Sequence, residues 1–169
     1  MTKDKLDFWN ERASLSDTAG SNDFIGKNFE MDAISKFIKD GMNILDIGCG
    51  SGTLAFFLAS NFDIDITGCD FSPRMIEQAE LDMTKLGFDK KKMRFHVEDV
   101  TKILNSSTLE ISKFDIVITE RVIINLDSWE EQKKAIQDIM NFVKPNGSYL
   151  MCENLQEGLD NLNILRNKM

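Results

Sequence analysis

Short apolar runs recur along the chain at 43–47 (NILDI), 64–69 (IDITGC), 93–97 (MRFHV), 114–119 (FDIVIT) and 148–152 (SYLMC). Runs of this length predict buried strands. Between them the apolar positions recur at helical spacing. Leu54, Phe57 and Leu58 follow the first run, and Met75, Ile76, Ala79, Met83 and Leu86 share one face of a later helix. Ser72 is placed to cap that helix, Pro73 to occupy its first position and Gly87 to close it. Ser128-x-x-Glu131 fits a capping box ahead of Ala135, Ile136, Ile139, Met140 and Val143. Pro145-Asn146-Gly147 then predicts the end of the helix and a turn into the last strand.

The first 40 residues read as helical too. Phe29, Ala33, Ile34, Phe37 and Ile38 make an apolar stripe ending at Gly41, and residues 15–26 read as a loop between two helices. Strands alternating with helices demand crossover connections, which predict an α/β fold with a doubly wound parallel sheet. At 169 residues the chain suits one domain that buries roughly 70% of its unfolded surface. Its expected parts are a helical cap (1–40), a core (42–152) and a C-terminal segment (153–169), helical over 156–168.

Charge narrows the partners. A formal net charge of −8 argues against nucleic acid, whose phosphates require a basic surface. The "DKKKMR" stretch at 89–94 reads as a solvated turn before a strand. No window approaches the ~18 apolar residues of a membrane span, and the acids in "MTKDKLDFWNERA" do not suit a secretory signal. Cys49, Cys69 and Cys152 lack C-x-x-C spacing and read as free thiols in a reducing cytoplasm. The single His96 has no neighbouring His or Cys, so no metal site is expected.

The chemistry concentrates in "ILDIGCGSG" at 44–52, a glycine turn leaving the first strand. In doubly wound sheets the ligand sits beyond the carboxyl ends of the strands, where strand order reverses. A nicotinamide site wants G-x-G-x-x-G around a diphosphate. Here the pattern is Gly48-x-Gly50-x-Gly52 followed by Thr53, and Asp46 would repel the diphosphate. No Gly-Lys-Ser/Thr follows, so a P-loop is excluded. A nucleoside ligand without phosphate removes the conflict. S-adenosylmethionine (SAM) carries an ammonium and a sulfonium that an acidic strand end can face. The second strand ends at Asp70, about 20 residues on, where an acid accepts ribose hydroxyls. Phe71 offers a ring to the adenine, and Glu98-Asp99-Val100 offer an acceptor and a backbone N–H to its edge.

"ILDIGCGSGTLAFFLA", "ITGCDFSPRMIEQAE", "RFHVEDV", "FDIVIT" and "FVKPNGSYLM" resemble, in order and spacing, the successive motifs of class I SAM-dependent methyltransferases over residues 42–152. The resemblance implies that Asp46, Gly48 and Gly50, with Cys49 in the same turn, line the methionine portion of SAM. It puts Asp70 at the ribose and Phe71, Met75, Asp99 and Val100 at the adenine. The family usually finishes with two further strands; this chain stops after a short segment. Its fifth strand would then be an open edge, which implies either a truncated chain or an edge that a second copy or a partner subunit would cover. The remaining motifs, "FWNERA", "ERVIINLDSWEEQKKAIQDI" and "CENLQEGLDNLNILR", are similar to methyltransferases of bacterial surface-polysaccharide clusters.

The fourth strand ends in Thr119-Glu120-Arg121, expected near the transferred methyl. Glu120 could orient or deprotonate a hydroxyl, and Arg121 could hold a phosphate; a structural ion pair is the other reading of the two. Trp9, Arg12 and the 18–23 loop are expected to close over the site. The implied reaction is O-methylation of a sugar or phosphate-bearing polysaccharide precursor. A non-catalytic SAM-binding subunit and a NAD-linked oxidoreductase are the alternatives.

Overall fold

Period-two alternation in the first strand splits its side chains between two cores. Ile44 joins one cluster with Leu54, Leu58, Ile76, Ala79 and Met83. Leu45 and Ile47 join the other, with Val117, Ile123, Ala135 and Ile139. The structure, a computed structural model, describes residues 2–20 and 22–154. Its strands are β1 (Asn43–Ile47), β2 (Asp65–Asp70), β3 (Met93–Val97), β4 (Phe114–Glu120) and β5 (Val143–Cys152). They form one sheet in the order β3-β2-β1-β4-β5, parallel at every pairing. Strand order therefore reverses between β1 and β4.

Helices α1 (Lys3–Arg12) and α2 (Phe24–Ser35) precede the sheet, and α3 (Thr53–Asn61), α4 (Pro73–Leu86) and α5 (Trp129–Ile139) cover its faces. The cap of α4 forms as expected: Ser72 Oγ accepts the Met75 N–H at 3.2 Å, and Gly87 closes the helix at φ 80°. In α5, Ser128 Oγ accepts from Glu131 N at 3.1 Å, but the Glu131 carboxylate returns to Asp127 N rather than to Ser128 N.

Four local expectations change. β5 begins at Val143, not Ser148, and the Pro145-Asn146-Gly147 turn lies within it as a bulge. Val143 pairs with Phe114, and Ser148 pairs with Ile116. Lys144 Nζ lies 2.9 Å from both Asp115 carboxylate oxygens, which ties the bulge to β4. The stripe on α2 buries only Ile34 and, just beyond the helix, Ile38; Ala33 is exposed, as are Phe29 at 70% and Phe37 at 57%. Leu86 and Met140 are exposed at their helix ends. Part of the 15–26 loop is ordered: residues Ala13–Thr18 form a 3-10 turn, and Asp23 caps α2 by accepting Gly26 N at 2.8 Å. The segment expected to be helical at 156–168 lies outside the described residues. Among those residues β5 stands at the sheet edge. Among them also, no helix is long and apolar enough to cross a membrane.

Candidate functional site

A cavity of ≈ 330 Å³ opens where strand order reverses, at the carboxyl ends of β1, β2 and β4. Its floor is the turn after β1. Gly48 (φ 73°) and Gly50 (φ 54°) are left-handed, a region costly for residues with a Cβ. A Cβ on Gly48 would lie 2.2 Å from Val122 Cγ2, whereas one on Gly50 would meet nothing within 4 Å. Gly48 thus packs against the segment after β4, and Gly50 leaves bare backbone.

Three successive backbone donors of this turn are already used. Gly48 N and Cys49 N donate to the Cys69 carbonyl at 2.7 and 3.0 Å, and Gly50 N donates to Asp70 Oδ2 at 3.1 Å. A phosphate cradle works by aiming such N–H groups at the anion. This turn aims them at β2 instead.

The cavity walls are acidic. Asp46, Asp70, Glu98 and Glu120 line it against Lys27 and Arg121. Asp46 is 2% exposed, and among the described residues its Oδ2 has no hydrogen-bond partner. Burial, then the charges of Glu120 and Asp70, pushes its carboxyl up to about 8. Burial also raises Asp70 to about 6, opposed by the N–H groups of Ser72 and Gly50. A buried carboxylate oxygen without a donor is costly unless a ligand supplies one. A ligand that brings a hydrogen-bond donor or a positive charge satisfies it.

Twelve of the sequence-derived residues line this cavity: Trp9, Asp46, Gly48, Cys49, Gly50, Asp70, Phe71, Met75, Glu98, Val100, Glu120 and Arg121. Three do not line it. Asp99 Oδ1 accepts from Thr101 N and Thr101 Oγ1, at 2.9 and 2.8 Å, and so caps the 3-10 turn Val100–Asn105. Thr119 is fully buried, its hydroxyl 2.8 Å from Tyr149 Oη. Arg12 Nε donates to the Ala19 carbonyl, and the guanidinium lies 5.5 Å over the Phe8 ring. His96 sits half-buried within β3, and among the described residues no His/Cys/Asp/Glu group could hold a metal.

Arg121 is enclosed by acids. Its guanidinium pairs with Glu120 and lies 3.4 Å from Glu30 Oε2, a residue of α2. Burial raises the Glu30 carboxyl despite the opposing Arg121 charge. Arg121 has φ 56°, and its N–H donates to Cys152 O at 2.8 Å. The next three N–H groups, of Val122, Ile123 and Ile124, all donate to the Glu153 carboxylate at 3.0, 2.9 and 3.2 Å. Val122, Ile124, Asn125 and Asn154 also line the cavity, as do Lys27 and Met31 from α2. None of these residues was singled out from the sequence. For Val122–Asn125 a signal existed, since they directly follow the strand at the switch point. For Glu30 and Glu153 there was none, because their partners lie distant in the chain.

A family model described as a methyltransferase domain matches residues 38–164. The chain is 29% identical to phosphoethanolamine N-methyltransferase 3 of Arabidopsis thaliana over 116 residues, 69% of this chain and 22% of that protein. It is 29% identical to a demethylmenaquinone methyltransferase of Leptospira interrogans over 127 residues, 75% of this chain and 48% of that one. The chain thus spans under half the length of these curated relatives. Among solved structures, one described as a S-adenosyl-L-methionine-dependent methyltransferase of Methanococcus maripaludis superimposes with a TM-score of 0.67 at 19% identity. That match covers 99% of this chain and 74% of the other.

Proposed function

The chain belongs to the methyltransferase domain family, and on that premise we propose that it transfers a methyl group from SAM to a small polar acceptor. The observation that carries this reading is the unpartnered Asp46 Oδ2, buried in a cavity whose glycine turn offers no free N–H of Gly48, Cys49 or Gly50 to a phosphate. A diphosphate at this position would meet four carboxylates and lack its usual donors. SAM, with its two cationic centres and no phosphate, fits both features.

When bound, SAM supplies a methyl group on a positively charged sulfur, already activated for displacement. The residues of the chain align and shield it. Gly50 presents bare backbone, so a ligand can approach without meeting a side chain. Asp46 provides the carboxylate for a cationic centre. Asp70 fixes the turn through Gly50 and retains acceptor capacity for ribose hydroxyls. Phe71 and Met75 give apolar surface to the adenine, beside Val100, and Trp9 covers the cavity from α1. Excluding water and aligning the partners can supply roughly 7–11 kcal/mol of the barrier.

We assign Glu120, which lines the cavity, to take the acceptor's proton, a contribution of about 10²–10⁴ in rate. The Arg121 guanidinium, tied to Glu120 and Glu30, orients it. That pairing favours a hydroxyl, as on a sugar, or an amine over a phosphate, since the guanidinium already faces two carboxylates. A polysaccharide precursor with a free hydroxyl meets this description. The test is incubation with methyl-labelled SAM and a panel of sugars, nucleotide sugars, amino alcohols and phosphoethanolamine. Label transfer that disappears in Asp46→Asn is expected. No transfer to any member, with SAM bound, would leave a SAM-binding subunit as the better reading.

A further inference from the structure

Helix α1 runs across the mouth of the cavity and is tied to both walls. On one wall, Ser72 Oγ donates to Asn10 Oδ1 at 2.6 Å, beside Asp70 and Phe71. On the other, Lys5 Nζ donates to the Asn125 carbonyl at 2.6 Å and pairs with the Asp127 carboxylate. Trp9 lies between the two ties and lines the cavity. Ten residues of helix span about 15 Å, a length that suits a cover over a nucleoside.

The two ends are held differently. At the C-terminal end, Ala13 and Ala19 are buried with Met75 of α4, Trp9 packs on them, and Arg12 closes the turn by donating to Ala19 O. The helix itself has no buried residue. Around Lys5 the packing is open: a second cavity of ≈ 220 Å³ lies among Thr2, Lys5, Thr101, Leu126, Asp127 and Glu131. The Lys5 and Asp127 side chains are 29% and 55% exposed, a setting in which ion pairs are weak.

We propose that α1 is a hinged strap over the site, with its hinge at Ala13–Ala19 and its latch the Lys5 ammonium on Asn125 and Asp127. The proposal rests on the cavity being the SAM site. Opening at Lys5 admits the cofactor and releases the thioether product. Lys5 and Asp127 line the second cavity and not the first, so weakening the latch speeds entry and exit together and leaves affinity nearly unchanged.

Trp9 is the natural reporter. The chain has two tryptophans, so Trp129→Phe leaves Trp9 as the only one. Stopped-flow fluorescence with S-adenosylhomocysteine as probe gives both rate constants, and calorimetry gives the dissociation constant independently. Lys5→Ala and Asp127→Ala should each raise both rate constants about 5-fold, with Kd within about 2-fold. The exchanged pair Lys5→Asp with Asp127→Lys should recover part of the slow exchange, because it rebuilds the ion pair but not the bond to the Asn125 carbonyl. Unchanged rates in both single variants would overturn the latch. A faster off-rate alone, with Kd weakened in proportion, would make Lys5 an ordinary binding contact and overturn it too. Absence of calorimetric binding by the unaltered chain would instead remove the cavity reading beneath the proposal.

Discussion

The Asp70 carboxylate accepts the Gly50 backbone N–H at 3.1 Å. The acid at the end of β2 therefore holds the turn that follows β1, before any ligand is considered. Its other oxygen accepts Ser72 N at 2.8 Å, at the cap of α4. Asp70→Ala leaves two donors unsatisfied and removes the ribose acceptor. S-adenosylhomocysteine affinity should fall at least tenfold, by calorimetry, and the melting temperature should drop, since each stranded donor costs about 1–3 kcal/mol. Full affinity in a stable Asp70→Ala would sink the ribose assignment.

Gly48→Ala tests the packing between turn and wall. The new Cβ would lie 2.2 Å from Val122 Cγ2 at a φ of 73°. Destabilisation of about 1–3 kcal/mol is expected in denaturant unfolding. Adding Val122→Ala should recover part of it, because the clash is relieved while the backbone strain stays. Simple additivity of the two changes would show that the contact does not exist.

Asp46 gives the site a pH dependence of defined sign. Its folded pKa, about 8, lies above the 3.8 of an unperturbed aspartate. The folded chain thus retains a proton that the unfolded chain releases. The stabilisation is fully present below about 4 and is lost as pH rises toward 8. Asp70, at about 6, adds the same trend over the lower part of the window. Without ligand, the melting temperature should fall between pH 5 and pH 8.5, and Asp46→Asn should flatten the slope. A cationic ligand favours the ionised form, so SAM binding near pH 7 should release a proton, seen as a buffer-dependent binding enthalpy. A buffer-independent enthalpy would contradict the placement of positive charge at Asp46.

Glu153 clamps the wall after β4 through three N–H groups. Glu153→Ala strands them together, and unfolding stability should fall by about 2–3 kcal/mol, with Glu153→Gln milder because one amide oxygen can still accept. Equal stability of all three proteins would mean that the clamp contributes nothing in solution.

The sheet was legible because its central strands β1, β2 and β4 are buried along nearly their whole length, which writes them as apolar runs. Parallel pairing followed from the helices between them. The start of β5 was not legible, because Pro145-Asn146-Gly147 has the chemistry of a turn. The pairing of Val143 with Phe114 and the hold of Asp115 on Lys144 reveal it as a bulge. Phe29 and Phe37 carried helical spacing yet face outward, since periodicity gives a face and not what covers it. In the site, Asp46 and Asp70 were readable from their places at strand ends. Asp99 shows the limit. An acid opening a 3-10 turn can cap that turn, and here its Oδ1 does so. The enclosure of Arg121 by Glu30 was invisible for a further reason: it depends on how α2 docks against the end of β4.

The central claim is that the cavity takes a cationic, phosphate-free adenosyl ligand, and parallel thermal shifts with SAM, S-adenosylhomocysteine and NAD test it most directly. At 100 times its dissociation constant a ligand stabilises by about 2.7 kcal/mol. Both adenosyl sulfur compounds should raise the melting temperature, SAM should lose its effect in Asp46→Asn, and NAD should do nothing. A shift with NAD and none with either sulfur compound would contradict the account.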